Sequence, residues 1–167
     1  LRADLGVMIT ASHNTYEDNG FKLFGPDGYK LSDENELEIE KLILSDDLLK
    51  FPKSKYIGKA KRIDDAQARY IEYAKRSFPK DKTLESIKIV LDCANGASYK
   101  VAPETFWELG ANVIVIGNQP NGKNINFNCG STSTDNLKAK VIKENADIGI
   151  ALDGDADRIV IIDEKGD

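Results

Sequence analysis

One histidine and two cysteines in 167 residues leave little room for disulfide or zinc chemistry. Cys93 and Cys129 have neither the number nor the spacing of a disulfide framework or a metal-binding cysteine pattern, so two reduced thiols are expected. No apolar run approaches the ~20 residues that a bilayer-spanning helix needs, and no signal peptide opens the chain, so no membrane partner and a cytoplasmic location are expected. Basic blocks are also missing. The 23 Lys and Arg are interspersed among 28 Asp and Glu, and the net charge of -5 argues against nucleic acid as a partner. There is no Walker Lys-Ser/Thr and no GxGxxG, so the common nucleotide-binding cradles are excluded. The chain starts at Leu1 without an initiator methionine and stops at Asp167 inside a strand-turn pattern, and both ends are expected to be cuts in a longer protein.

What remains is the composition of a globular chain, with 41% apolar and 31% charged residues and a mean hydropathy of -0.41. At 167 residues it is long enough to bury a real core. Its periodicity predicts short strands over 5–10 and 21–24, with a turn at 25–28. A helix over 33–44 follows, opened by Asp33 with Glu36 three positions on and carrying Ile39, Leu42 and Ile43 on one face. Residues 53–63 read as a polar connector. A second helix starts at Asp64 and is closed by Pro79; Ala66, Tyr70, Tyr73 and Ala74 fall at helical spacing and are expected to pack.

From residue 87 the pattern becomes regular. Strands are predicted over 87–93, 112–116, 148–152 and 158–163. Helices are predicted over 102–109, ended by Gly110, and over 137–145, capped by Asp135. The order βαβαβ demands a parallel sheet with helices on its faces. The expected fold class is therefore α/β, with mixed or parallel sheets and helices on both faces. A partial first domain over 1–63 precedes a second domain over 64–167.

Two stretches carry chemistry. Thr10-Ala11-Ser12-His13-Asn14 places a hydroxyl beside the sole histidine, on the loop after a predicted strand. Asp153-Gly154-Asp155-Ala156-Asp157-Arg158 offers three carboxylates alternating with small residues, just past the carboxyl end of another strand, where α/β folds bind ligands. Phosphoryl transfer needs an acceptor atom, a hard cation and side-chain charge for the oxygens. Ser12 is the candidate acceptor, Asp153, Asp155 and Asp157 are oxygen ligands of the type Mg2+ takes, and His13, Lys22 and Arg158 are candidate proton carriers and clamps.

Plainer readings compete with each of these. An acidic loop is often a solvated turn, but three alternating carboxylates between two apolar strands repel one another unless a cation lies among them. An EF-hand would explain Glu164 at the twelfth position from Asp153; it fails because Arg158 holds the sixth position, where glycine is required, and because the flanks read as strands. Ser12 alone would be an ordinary loop serine, His13 a residue bonded within its loop, Lys22 a surface residue and Arg158 a strand-end arginine. Asp92-Cys93-Ala94-Asn95-Gly96-Ala97 reads as a tight turn rather than a phosphate cradle.

Residues 6–14, Asp18-Asn19-Gly20-Phe21-Lys22 and residues 153–158 together resemble the phosphoserine and metal-binding signatures of the α-D-phosphohexomutase superfamily. Residues 120–126 and Cys129-Gly130-Ser131-Thr132 are similar to its bacterial phosphoglucosamine mutase branch. Two positions depart from the pattern: Thr15 stands where proline is more common, and Phe127 where an acidic residue is. The resemblance implies that Ser12 is the phosphoryl carrier and completes the Mg2+ shell of Asp153, Asp155 and Asp157 through its phosphate. It further implies acid-base or charge-stabilising work for Lys22, a secondary role for His13 and a phosphoserine-facing Arg158. The implied reaction interconverts glucosamine 6-phosphate and glucosamine 1-phosphate through a 1,6-bisphosphate, and a homodimer is admitted for a complete parent. A sister mutase acting on glucose or mannose phosphates and a non-catalytic metal-binding fragment are the alternatives. No useful turnover is expected of these 167 residues alone.

Overall fold

The computed structural model describes residues 2–45 and 52–167. The chain divides into two compact units, one made of residues 1–9 and 21–63, the other of 10–20 and 64–167.

In the first unit, β1 (Gly6–Ile9) and β2 (Phe21–Phe24) pair antiparallel, with Met8 opposite Lys22. Helix α1 (Asp33–Leu44) follows. Its cap is Ser32 rather than the expected Asp33: the Ser32 hydroxyl accepts from the Asn35 N–H, and Asp33, Glu34 and Glu36 supply first-turn negative charge. Ser32 has the extended backbone that an N-cap requires, whereas Asp33 is already helical. The predicted apolar face of this helix is only partly covered: Ile39 is half-buried, while Leu42 and Ile43 are exposed and none of its described residues is fully buried. The connector contains one short 3-10 turn at Ser54–Tyr56.

The second unit is built on a four-stranded sheet. It opens with α2 (Ala66–Lys75), and then come β3 (Lys88–Asp92), α3 (Val101–Glu108), β4 (Asn112–Ile116), α4 (Asp135–Glu144), β5 (Ile148–Leu152) and β6 (Ile159–Ile162). Strand order is β4-β3-β5-β6; β3 is parallel to β4 and β5, while β6 returns antiparallel to β5. The antiparallel return follows from the short residue 153–158 connection, since a parallel strand would need a crossover of a dozen residues or more.

Strand β3 is buried on both sides, as a central parallel strand must be. Its Val90 packs with Ala151, Ile162 and the α4 residues Leu137 and Val141 on one face. Ile89 and Leu91 pack with Ile150 and the α3 residues Ala102 and Phe106 on the other. Alternation along one strand thus puts α3 and α4 on opposite faces of the sheet, and each fully buried Leu or Val contributes roughly 1.5–3 kcal/mol.

Two helix-level expectations change. Thr134, not Asp135, precedes the first turn of α4, and Asp135 acts as first-turn charge; the helix ends at Asn145 in the left-handed conformation. In α2 the tyrosines do not pack. Tyr70 and Tyr73 are exposed, and the buried residue is Ile71, with half-buried Ala74 and Lys75 on the same side. Lys75 bridges Glu72 and the α3 residue Glu108, so the face turned to α3 lies a step round the helix from the tyrosine stripe.

Candidate phosphoryl-transfer site

Three loops at the carboxyl end of the sheet and the residue 10–20 loop of the same unit form the site. The loop after β5 is pinned by Asp153, which is fully buried. One oxygen, Oδ1, accepts the backbone N–H groups of Asp157 and Arg158, both at 3.1 Å, closing the loop into a tight turn with Ala156 at φ 61°. Its other oxygen, Oδ2, accepts the Ser12 hydroxyl at 3.3 Å. Oxygens from Asp153, Asp155 and Asp157 lie within 4.8 Å of one another.

The serine loop is tied to the same place by Thr10. Its hydroxyl donates to Asp155 Oδ2 at 3.0 Å and accepts the Ser12 N–H at 2.8 Å. Ser12 itself sits at φ 56°, a left-handed conformation uncommon outside glycine. Asn126, nearly fully buried on the loop after β4, donates to the carbonyls of Ser12 at 3.0 Å and Asn14 at 2.8 Å.

Close approach explains two glycines. A Cβ on Gly154 would lie 2.7 Å from the Ser12 carbonyl oxygen and 2.6 Å from Asn126 Nδ2, and one on Gly96 would lie 2.3 Å from the Gly154 oxygen. The Ala97 N–H then bonds that same Gly154 oxygen at 2.8 Å. Side chains at either glycine would wedge the loops apart.

The turn after β3 has a different purpose. Asp92 is fully buried, and its oxygens accept the Ala94 and Gly130 N–H groups at 2.9 and 2.8 Å. This is the tight turn expected from the sequence. The neighbouring thiols are inert: burial, with smaller effects from neighbours, pushes Cys93 up to about 12 and Cys129 up to about 11.

Ser12, Asp153, Asp155 and Asp157 are therefore brought together from opposite ends of the chain. Arg158 lies alongside, its Nε 3.9 Å from Asp153 Oδ2 and from Asp157 Oδ1, with an exposed side chain. His13 is half-buried and its Nδ1 is buried without a hydrogen-bond partner. Lys22 lies on β2 in the other unit. Asn126 and Thr10 were visible only as members of longer motifs; nothing in local periodicity marks either as a bond that ties the serine loop down. The donor set, all oxygen and anionic with one carboxylate half spent on backbone N–H groups, fits a hard divalent cation better than a soft one.

Residues 68–166 match the family description "Phosphoglucomutase/phosphomannomutase, alpha/beta/alpha domain II", and residues 1–50 match domain I of the same family. A phosphoglucosamine mutase of Rhizobium rhizogenes is 64% identical over 99% of this chain, which spans 37% of that relative's length. Among solved structures, a putative phosphomannomutase from Thermus thermophilus superposes with a TM-score of 0.76 at 22% identity, covering 99% of this chain and 38% of that one. An Aspergillus fumigatus N-acetylphosphoglucosamine mutase, solved with GlcNAc-6P and magnesium, covers 98% of this chain and 44% of its own at 21% identity and a TM-score of 0.50. The chain belongs to the phosphoglucomutase/phosphomannomutase family of α-D-phosphohexomutases.

Proposed function

We propose that the full-length protein carrying this chain is a phosphoglucosamine mutase, interconverting glucosamine 6-phosphate and glucosamine 1-phosphate with Ser12 as phosphoryl carrier. The observation that carries the reading is the Ser12 hydroxyl, 3.3 Å from Asp153 Oδ2 at the edge of a three-carboxylate cluster. Substrate identity rests on the 64% identity to a protein of that name. Residues 1–63 and 64–167 are proposed as parts of two domains of that enzyme, the remainder supplying the rest of the phosphosugar site.

Phosphoserine at position 12 loses its P–Oγ bond as a sugar hydroxyl oxygen forms a new bond to phosphorus. The hydroxyl proton is given up to a base and the released Oγ regains one, so no net proton is consumed. Lys22, with His13 in support, is proposed for that proton traffic. The 1,6-bisphosphate then turns over, and its other phosphoryl group returns to Ser12. Arg158 is proposed to hold phosphoryl charge, supported by its position beside Asp153 and Asp157. Asp153, Asp155 and Asp157, completed by the phosphate on Ser12, would hold Mg2+, which when bound neutralises phosphoryl oxygens. A cytoplasmic location belongs to the same proposal, as for a metabolic enzyme of this kind; among the described residues no helix is long and apolar enough to cross a membrane. The same reading admits a homodimer.

The test is turnover of glucosamine 6-phosphate by the full-length protein beside glucose and mannose 6-phosphates. Preference for glucosamine 6-phosphate, lost on Ser12→Ala, is expected. Equal or better use of another sugar would replace the substrate, and an active Ser12→Ala protein would remove the carrier.

A further inference from the structure

We propose that Asn126 is a positioning residue for the nucleophile, clamping Ser12 in its left-handed conformation with the hydroxyl aimed at the carboxylate cluster. The inference rests on the reading of Ser12 as carrier.

A serine at φ 56° lies in a sparsely populated, strained backbone region and persists only where its surroundings impose it. Here the surroundings act on both sides of the residue. On the amino side, the Thr10 hydroxyl takes the Ser12 N–H. On the carbonyl side, the Asn126 amide donates both its hydrogens, one to the Ser12 oxygen and one to the Asn14 oxygen, so one planar group spans the loop that contains His13. A primary amide is suited to this because its two N–H bonds diverge in one plane.

Asn126 is itself immobilised. It is 6% exposed, its own N–H bonds the Ala94 oxygen at 2.9 Å, and it too is left-handed, at φ 56°. Asparagine tolerates that backbone better than most residues, so one residue type meets both demands. Gly154 completes the arrangement, since the clamp and the Ser12 carbonyl occupy the volume a side chain there would fill. Nothing in this geometry brings Asn126 to a metal or a substrate. Its effect passes through the direction of Ser12 Oγ, and misplacing a reacting atom by about 1 Å costs on the order of 100-fold in rate.

The experiment compares Asn126→Asp and Asn126→Gly in the full-length protein. The first keeps shape and turns a donor into an acceptor facing two carbonyls; the second keeps the backbone and deletes the amide. Turnover of glucosamine 6-phosphate is measured with glucosamine 1,6-bisphosphate present, and Mg2+ affinity by calorimetry on the phosphatase-treated protein, where the three carboxylates act without a phosphate on Ser12. Both variants are expected to lose about 30-fold or more in kcat, with KM and Mg2+ affinity each within about threefold of the parent. Unchanged kcat in both would overturn the clamp. So would a parallel loss of kcat and Mg2+ affinity, which would mark Asn126 as a general prop of the unit. Ser12→Ala, run alongside, separates the two ideas. If it is inactive while the Asn126 variants are not, the clamp alone fails; if it stays active, the carrier reading fails and takes the clamp with it.

Discussion

Asp92 and Asp153 are both fully buried, Asp92 at the end of central strand β3 and Asp153 just past central strand β5, and both cap the turn that follows, yet they spend their oxygens differently. Asp92 spends each oxygen on one backbone N–H, from Ala94 and Gly130, and has become part of the scaffold. Asp153 gathers two N–H groups onto one oxygen and leaves the other facing Ser12. A buried carboxylate serves structure when its hydrogen bonds are distributed over both oxygens. On the proposed reading, Asp153 is available for chemistry because one oxygen is relieved of that work.

The largest contrast is expected from metal binding. Asp153→Asn should weaken Mg2+ by about 100-fold or more, since loss of a ligand exceeds the 10–100-fold that loss of a supporting contact costs. Asp92→Asn should leave affinity within about threefold, so similar losses in both variants would erase the distinction. Stability should divide the other way. Asp92→Ala orphans two N–H groups among buried neighbours, and urea unfolding should report a loss of about 2–5 kcal/mol. A loss under about 1 kcal/mol would show that water replaces the carboxylate.

Smaller effects are expected where the two loops touch. Gly96→Ala places a Cβ against the Gly154 carbonyl, so a destabilisation of about 1–3 kcal/mol is expected, with weaker Mg2+ binding. Destabilisation without change in affinity would mean that the turn after β3 does not support the metal loop. The smallest effect concerns the thiols beside Asp92. Burial first, then the Asp92 charge, raises Cys129 to about 11; for Cys93 burial again leads, toward about 12, with Asp92 a lesser contribution. The stability they contribute is complete below the unfolded value near 9 and is lost as pH rises through about 11 and 12. Near pH 8, alkylation of the native protein should therefore be far slower than that of the urea-unfolded chain; comparable rates would contradict their burial.

Much of this was legible in the residues, for identifiable reasons. Apolar runs of β3 and β5 and the helical spacing of Leu137 and Val141 are one-dimensional patterns that burial writes directly into sequence. Alternating carboxylates after a strand are equally direct. The Asn126 clamp was not legible, because a side-chain bond to a backbone oxygen 114 residues away leaves no period and requires no particular residue at the acceptor. The cap of α1 was misplaced by one residue because Ser32 and Asp33 are both good capping types and only backbone geometry chooses between them. The tyrosines of α2 misled because Tyr70 and Tyr73 keep helical spacing with Ala66 and Ala74, while Ile71 alone marks the side that is buried.

The most direct test of the account is to load the full-length protein from glucosamine 1,6-bisphosphate labelled in both phosphoryl groups and map the modified residue by tandem mass spectrometry. Label is expected on Ser12, discharged to glucosamine 1-phosphate and glucosamine 6-phosphate on adding either. Label on another residue, or turnover at an undiminished rate with Ser12 never modified, would contradict it.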